Sequence, residues 1–287
     1  MFMVRLFRLL GHLPLSLMQR VGALLGWLVW RLSSGYRQRF EEQAAAAGFS
    51  PAQYRPARAA IGAMVAELPW LWMRPANKGV LHLAQWDGVK NFESALDAGQ
   101  GVILAVPHLG CWEFTGQAIA ERFGPTHGPL VAMYRPARKA WLAPLVASSR
   151  NRPGLKTVPT SLAGVRSLIR VLRSGGYTAI LPDQVPPLGQ GVWAPFFGRP
   201  AYTMTLLSRL AQQSGACVLL CWCDRLPRGK GYVIRFEPFD APELRDVHAT
   251  PEAAATAVNA GMERLIRKAP GQYLWSYARY KQPSGEE

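Results

Sequence analysis

The spacing of apolar positions changes along this chain. Apolar residues dominate from Leu6 to Leu32, interrupted by Pro14 and by Gln19-Arg20. The clean run over 21–30 is short of the roughly 20 residues that a comfortable spanning helix takes. Residues 36–75 read as helical, with Ser50-Pro51 as the start of the second helix. Beyond them, β-rich runs alternate with segments of helical period. The run GVILAVPH at 101–108 reads as a buried parallel strand. Further strands are expected at 80–83, 130–134, 177–181, 216–223 and 232–236. Helices are expected at 91–98, 111–122, 138–149, 162–173, 203–214 and 251–268. A Pro/Gly-rich loop is expected over 182–200, and an aromatic, basic tail over 272–281. The alternation predicts an α/β fold, a mainly parallel sheet with helices on both faces. No repeat and no clean linker interrupts it. Residues 36–287 therefore read as one domain, preceded by a membrane-associated helical segment over 1–35.

Charge sharpens the reading of that first segment. Arg5, Arg8, Arg20, Arg31, Arg37 and Arg39 precede the first acid, Glu41. Association with an anionic membrane is expected in one of two forms. One is a marginal span from about Leu9 to Trp30. The other is a basic amphipathic hairpin lying in the interface, broken at Pro14, with Trp27 and Trp30 at headgroup depth. Over all 287 residues Lys+Arg number 33 against 18 Asp+Glu, a net charge of +15, and Arg predominates over Lys. That balance excludes a typical acidic cytosolic enzyme. It permits nucleic acid, an anionic membrane surface or an acidic carrier protein as partners. The Arg residues are scattered and no nucleic-acid motif is present, so nucleic acid is not an expected partner. A nonenzymatic basic binder remains the alternative from another class.

Chemistry concentrates after the first strong strand, in AVPHLGCWEF. His108 follows the strand directly, where open α/β sheets gather active groups. Gly110 permits a tight turn, and Glu113 falls in the first turn of the next helix. That layout can bring the carboxylate back to one ring nitrogen, leaving the other to take a proton from a hydroxyl. The bland reading is that His108 caps a turn and Glu113 complements the helix dipole. No G-x-S-x-G elbow is present, so direct attack by a substrate hydroxyl on an activated acyl group is the simplest chemistry. Cys111, Cys217, Cys221 and Cys223 lack metal spacing and read as buried thiols, with Cys111 a secondary candidate nucleophile. No metal or cofactor is expected.

These residues resemble a known family. H-x4-E at His108–Glu113 is similar to the signature of the lipid A late acyltransferases, a branch of the lysophospholipid acyltransferase superfamily. Tyr134-Arg135-Pro136, Leu181–Gln184 with the following GVWAPFFGRPA, and QYLWSYARYK at 272–281 resemble the family's other blocks, in order and in register. The resemblance implies a glycerolipid acyltransferase-like fold on the cytoplasmic face of a bacterial inner membrane. It implies transfer of a fatty acyl chain, usually from acyl carrier protein, to a hydroxyl of a lipid A precursor. It further implies His108 as base with Glu113 as its catalytic partner, and places Arg150 and Asp183 at functional positions. Arg150, helped by Arg152, would hold an acceptor phosphate or stabilise the oxyanion, unless it is a solvated cation at a helix end. Asp183 would orient Arg150 or bind an acceptor hydroxyl, or else cap a turn before Pro186-Pro187. Arg135, beside Tyr134, would be a phosphate ligand or would pin its loop. The chain departs from the family at ARKAW after Pro136, at Val185, at Gly271 and at Tyr277-Ala278. These departures leave the acceptor open between a lipid A precursor and another glycolipid, an aminolipid or a lysophospholipid.

Overall fold

A computed structural model describes residues 2–75, 77–134 and 152–285 of the protein. The N-terminal half opens with helices α1 (Phe2–Gly11), α2 (Leu15–Leu32), α3 (Ser34–Ala46), α4 (Pro51–Tyr54) and α5 (Pro56–Met73). Ser50 and Gln53 form a capping box that starts α4, with Pro51 at its first position. Strand β1 (Ala84–Asp87) and helix α6 (Val89–Asp97) follow, then β2 (Val102–Ala105), α7 (Trp112–His127) and β3 (Leu130–Tyr134). The second half contains β4 (Leu155–Pro159), α8 (Leu162–Arg173), β5 (Tyr177–Ile180), β6 (Gly191–Phe196), β7 (Arg199–Met204), α9 (Leu206–Ser214), β8 (Cys217–Arg225), β9 (Tyr232–Pro238) and α10 (Pro251–Lys268). Side chains mark two of these starts: Ser161 accepts from Gly164 N–H at α8, and Thr250 from Ala253 N–H at α10.

Seven strands form one sheet in the order β1-β9-β8-β2-β5-β3-β4. All its pairings are parallel except β8–β9. Side chains alternate across the sheet, so each strand feeds two apolar cores. Val102, Leu104, Val106, Leu219, Cys221 and Cys223 face the core shared with α6 and α7. Ile103, Ala105, Val218, Leu220 and Trp222 face the core shared with α8, α9 and α10. The expected α/β architecture, mostly parallel and covered by helices, is therefore present.

Several details differ from the sequence-based expectation. The strand expected at 80–83 lies instead at Ala84–Asp87, after a single 3-10 turn. Strand β4 was not anticipated. The expected loop over 182–200 contains most of a hairpin, β6–β7, whose two-residue turn puts Phe197 (φ 46°) and Gly198 (φ 73°) in the left-handed region. Both signs match the primed turns that join twisted strands. The Phe197 strain is offset by a 2.7 Å hydrogen bond from its N–H to Glu263 and by edge contacts with Phe49 and Phe196. The helix expected at 138–149 lies outside the described residues.

Helix α2 is fastened to α5 by glycines. A Cβ at Gly62 would stand 2.0 Å from the Gly22 carbonyl oxygen, and one at Gly26 2.2 Å from the Arg58 carbonyl oxygen. The backbones touch, and only glycine fits. Beneath this contact lies a buried ionic knot. Glu67 of α5 takes two 2.6 Å hydrogen bonds from Arg225 of β8, one from Gln19 of α2 at 2.7 Å and one from the Tyr232 hydroxyl at 2.9 Å. Burial opposes the Arg225 charge, but Glu67 more than restores it and raises its pKa. A buried carboxylate so fully matched is a fixed point between the first helices and the sheet.

Among the described residues no single helix is long and apolar enough to cross a membrane. Together the segments Arg5–Gly11 and Leu15–Leu32 have that length and composition, but they bend by 119° at their break. The turn falls at Pro14, which precedes α2 as its N-cap.

Candidate active site

The register of two adjacent strands assembles the site. Strand β2 pairs with β5 from Val102↔Tyr177 to Ala105↔Ile180, and the Val106 N–H continues the ladder to the Ile180 carbonyl. Three residues beyond each last pair stand His108 and Asp183. Equal offsets from a fixed register bring them side by side. After these strands the chain leaves for opposite faces: α7 packs on one core, while β5 leads through the hairpin to α9 on the other. Such a divergence opens a crevice at the carboxyl edge of an α/β sheet.

One carboxylate grips His108 twice. Asp183 Oδ2 accepts the His108 backbone N–H at 2.8 Å, and Asp183 Oδ1 lies 2.7 Å from ring Nδ1. The ring is 14% exposed and the carboxylate 1%, so the pair is held from below while the imidazole reaches the surface. An ionised Asp183 can only accept, so Nδ1 carries the proton and Nε2 is the basic nitrogen. Burial alone would raise the Asp183 carboxyl. The His108 charge and hydrogen bonds, with Arg279, more than offset that and lower it. Burial first, and then the Asp183 charge, push the Tyr273 phenol well above its ordinary value, so it faces Asp183 as a neutral hydroxyl.

The loop bearing His108 is clamped between β8 and the C-terminal tail. Gly110 N–H donates to the Gln272 carbonyl, Cys111 N–H to the Cys223 carbonyl, and Leu274 N–H to the His108 carbonyl. Gly110 has φ 63°, and a Cβ there would come 1.7 Å from the Cys223 carbonyl oxygen, so the turn requires glycine. Arg225 extends the Glu67 knot to this loop through a 3.3 Å bond to the Gly110 carbonyl. The Trp112 and His108 rings meet in an edge-to-face arrangement, their centroids 4.7 Å apart.

The expectation pairs His108 with Glu113, and the geometry adds a second carboxylate to the ring. The ring nitrogen that a supporting carboxylate was to hold is held by Asp183, supplied by the neighbouring strand rather than by the helix that follows β2. Glu113 does begin α7, at the positive end of its dipole, and receives the Trp72 indole N–H at 3.4 Å. Asp183 has both oxygens on His108. Tyr134 ends β3, half-buried against the core. Arg135 and Arg150 lie outside the described residues. Arg152 donates from one terminal nitrogen to the Leu71, Trp72 and Arg74 carbonyls, closing the C-terminal end of α5. Cys111 is fully buried. Burial first, and then the Glu67 charge, push its thiol well above the ordinary range, so it is no nucleophile. The four cysteines are free thiols. Among the described residues no three His, Cys, Asp or Glu side chains gather as metal ligands.

Sequence reasoning missed Arg279. It is 2% exposed and donates to the Tyr202 carbonyl, Thr203 Oγ1 and Asn259 Oδ1. The hairpin and α10 thus hold the cation that favours an ionised Asp183. Its only signal in the chain was a place in the aromatic tail.

An imidazole oriented by a buried carboxylate, at the carboxyl edge of an α/β sheet, defines a site able to take a proton from a hydroxyl. Residues 1–282 match the family described as bacterial lipid A biosynthesis acyltransferase. The chain is 29% identical over 231 residues to the lipid A biosynthesis lauroyltransferase of Escherichia coli K12, covering 78% of this chain and 70% of that one. It is 28% identical over 193 residues to the lipid A biosynthesis acyltransferase of Haemophilus influenzae, covering 67% of this chain and 57% of that one. It is 27% identical over 174 residues to the phosphatidylinositol mannoside acyltransferase of Mycobacterium tuberculosis H37Rv, covering 58% of this chain and 52% of that one. In the last two comparisons the chain thus spans little more than half the length of its relative. The chain belongs to the bacterial lipid A biosynthesis acyltransferase family.

The lowered Asp183 pKa fixes the sign of one pH effect. A carboxyl depressed by folding stabilises the protein fully above its unfolded pKa, about 3.9, and loses that contribution as pH falls through the folded value. Asp183→Asn removes the group. The stability difference between wild type and this variant, read by urea denaturation from pH 6 down to pH 3, is expected to be constant at first and to shrink below about pH 4. A difference that grows on acidification contradicts the assignment.

Proposed function

We propose that the protein is a membrane-associated O-acyltransferase that moves a fatty acyl chain from a thioester, carried by acyl carrier protein, to a hydroxyl of a lipid A precursor. The observation that carries this reading is the His108–Asp183 pair at the carboxyl edge of the sheet, in a chain that belongs to a lipid A acyltransferase family. Nε2 of His108 takes the proton of the acceptor hydroxyl as its oxygen attacks the thioester carbonyl. The tetrahedral intermediate collapses, the C–S bond breaks, and the thiol leaves with the proton returned by the imidazolium. Asp183 keeps the ring in the required tautomer and stabilises its charged form. Glu113 stays in the catalytic set as the acid of the H-x4-E motif. With Nδ1 taken, its contribution is electrostatic support of the imidazolium. Arg150 is assigned to the oxyanion or to an acceptor phosphate, with Tyr134 and Arg135 beside the acceptor. The phosphatidylinositol mannoside relative supports a second reading of the acceptor, a different glycolipid on the same machinery.

The exposed face of α2 supports association with an anionic membrane surface, assigned in this proposal to the cytoplasmic side of a bacterial inner membrane. Leu17, Val21, Leu24, Leu25, Trp27 and Leu32 of α2 are exposed, while Gly22 and Gly26 turn to α5. Exposed Arg5, Arg8, Arg20 and Arg31 accompany them. Apolar side chains mixed with cations suit an anionic interface.

His108→Ala and Asp183→Asn are expected to lower the acyl-transfer kcat by roughly 10²–10⁴-fold. Near-wild-type turnover in either refutes the mechanism. In a deletion strain, mass spectrometry of lipid A should show a species lacking one secondary chain. Unchanged lipid A defeats the lipid A acceptor and leaves the second reading. For the membrane, Val21→Glu with Leu24→Glu should abolish flotation of the protein with vesicles containing phosphatidylglycerol. Undiminished flotation overturns α2 as the docking face.

A further inference from the structure

A second concave site lies on the flank of α7, with neither His108 nor Asp183 in its lining. It is a cavity of about 430 Å³, lined by Arg74, Asn77, Gln117, Glu121, Arg152 and Gly154 among others. That volume falls within the range of roughly 300–1,000 Å³ typical of small-molecule sites. Its polar groups are incompletely matched. Among the described residues, Nε and one terminal nitrogen of Arg74, and Nε of Arg152, are buried without a hydrogen-bond partner. Gln117 Oε1 is likewise buried and unpartnered, although its amide nitrogen donates to the Leu71 carbonyl. Buried donors and acceptors left unmatched are costly, and natural proteins keep few of them.

The charges in the cavity point the same way. Burial first, and then the neighbouring Arg152 charge, push the Arg74 guanidinium down to about 10. Burial also lowers Arg152. Both remain cationic at neutral pH, held close in a half-buried place with Glu121 as the one carboxylate of the lining. Glu121 is already engaged: its Oε2 accepts the Val80 N–H at 2.7 Å. Two cations against one committed carboxylate leave a net positive cavity whose free N–H groups need anionic oxygens. The free Gln117 oxygen needs a hydroxyl. A phosphate ester on a polyhydroxylated ring supplies both, and guanidinium forks suit phosphate geometry.

Position completes the argument. Gln117 lies four residues, about 6 Å of helix rise, from Glu113 at the head of α7. The cavity thus runs along the helix whose head directly follows the His108 loop.

We propose that the Arg74–Arg152–Gln117 cavity binds the phosphorylated sugar or cyclitol head group of the acyl acceptor. Naming the ligand as the acceptor rests on the acyl-transfer reading; the phosphate site itself does not. Arg74 would be the main ligand, since Arg152 already spends a terminal nitrogen on the end of α5.

The test is calorimetric titration of the full-length protein with glucosamine 1-phosphate, with glucosamine, and with inorganic phosphate. The sugar phosphate is expected to bind at least tenfold more tightly than either fragment. Arg74→Gln should lose that binding, and Arg74→Lys, which keeps charge but not the fork, should weaken it. His108→Ala should bind as wild type does, which separates this site from catalysis: loss of transfer with intact binding tests the base, and loss of binding tests the cavity. In turnover with a phosphorylated acceptor, Arg74→Gln should raise KM at least tenfold. Equal binding of inorganic phosphate and sugar phosphate, or wild-type affinity in Arg74→Gln, overturns the proposal. The comparison of three ligands on the wild-type chain decides it even if Arg74→Gln fails to fold.

Discussion

The pairing of β2 with β5 is the constraint on which the site depends. Once Ala105 stands opposite Ile180, the chain has only three residues on each strand end in which to place a base and its acid. His108 and Asp183 occupy equal offsets. Asp183 then binds both the backbone and the ring of His108, so one carboxylate fixes the position of the loop and the tautomer of the imidazole. A slip of one residue in this register would turn every side chain of the strand to the other face and separate the pair.

The rest of the molecule holds that arrangement from several sides. The tail contributes Gln272, Tyr273 and Leu274, which bind the His108 loop or press against its acid. The hairpin and α10 hold Arg279, whose charge favours an ionised Asp183. Glu67 joins α2, α5, β8 and β9 through buried hydrogen bonds, and Arg225 carries that junction to the Gly110 carbonyl. The helix proposed to meet the membrane and the loop that bears the base thus share one buried ionic centre. Removing one partner of such a pair typically costs about 3–5 kcal/mol, because the other charge is left buried and unmatched.

Much of this was legible in the chain. Continuous apolar runs at β2, β5 and β8 announced buried parallel strands, and helices α8 and α10 fall on the expected residues because their caps and periodicity agree. His108 was found because it directly follows a strong strand. Asp183 was not read as a partner of the ring because spacing along the chain favours the near carboxylate, Glu113, whereas this contact depends on which strand lies beside β2. That neighbour is 75 residues away and no local pattern names it. The hairpin was hidden by Pro195 and Pro200, which read as breakers yet pair across the two strands, and by Phe197, an unusual residue for a left-handed turn position. Arg279 was hidden because a buried, hydrogen-bonded cation looks like a surface cation until the fold surrounds it.

The central claim is that Asp183 orients His108 with its proton on Nδ1. Nitrogen NMR of the His108 ring in the full-length protein reads this directly. The account predicts a neutral ring protonated at Nδ1, a resonance altered by Asp183→Asn and little changed by Glu113→Gln. A ring protonated at Nε2, or one that responds to Glu113→Gln and ignores Asp183→Asn, contradicts it.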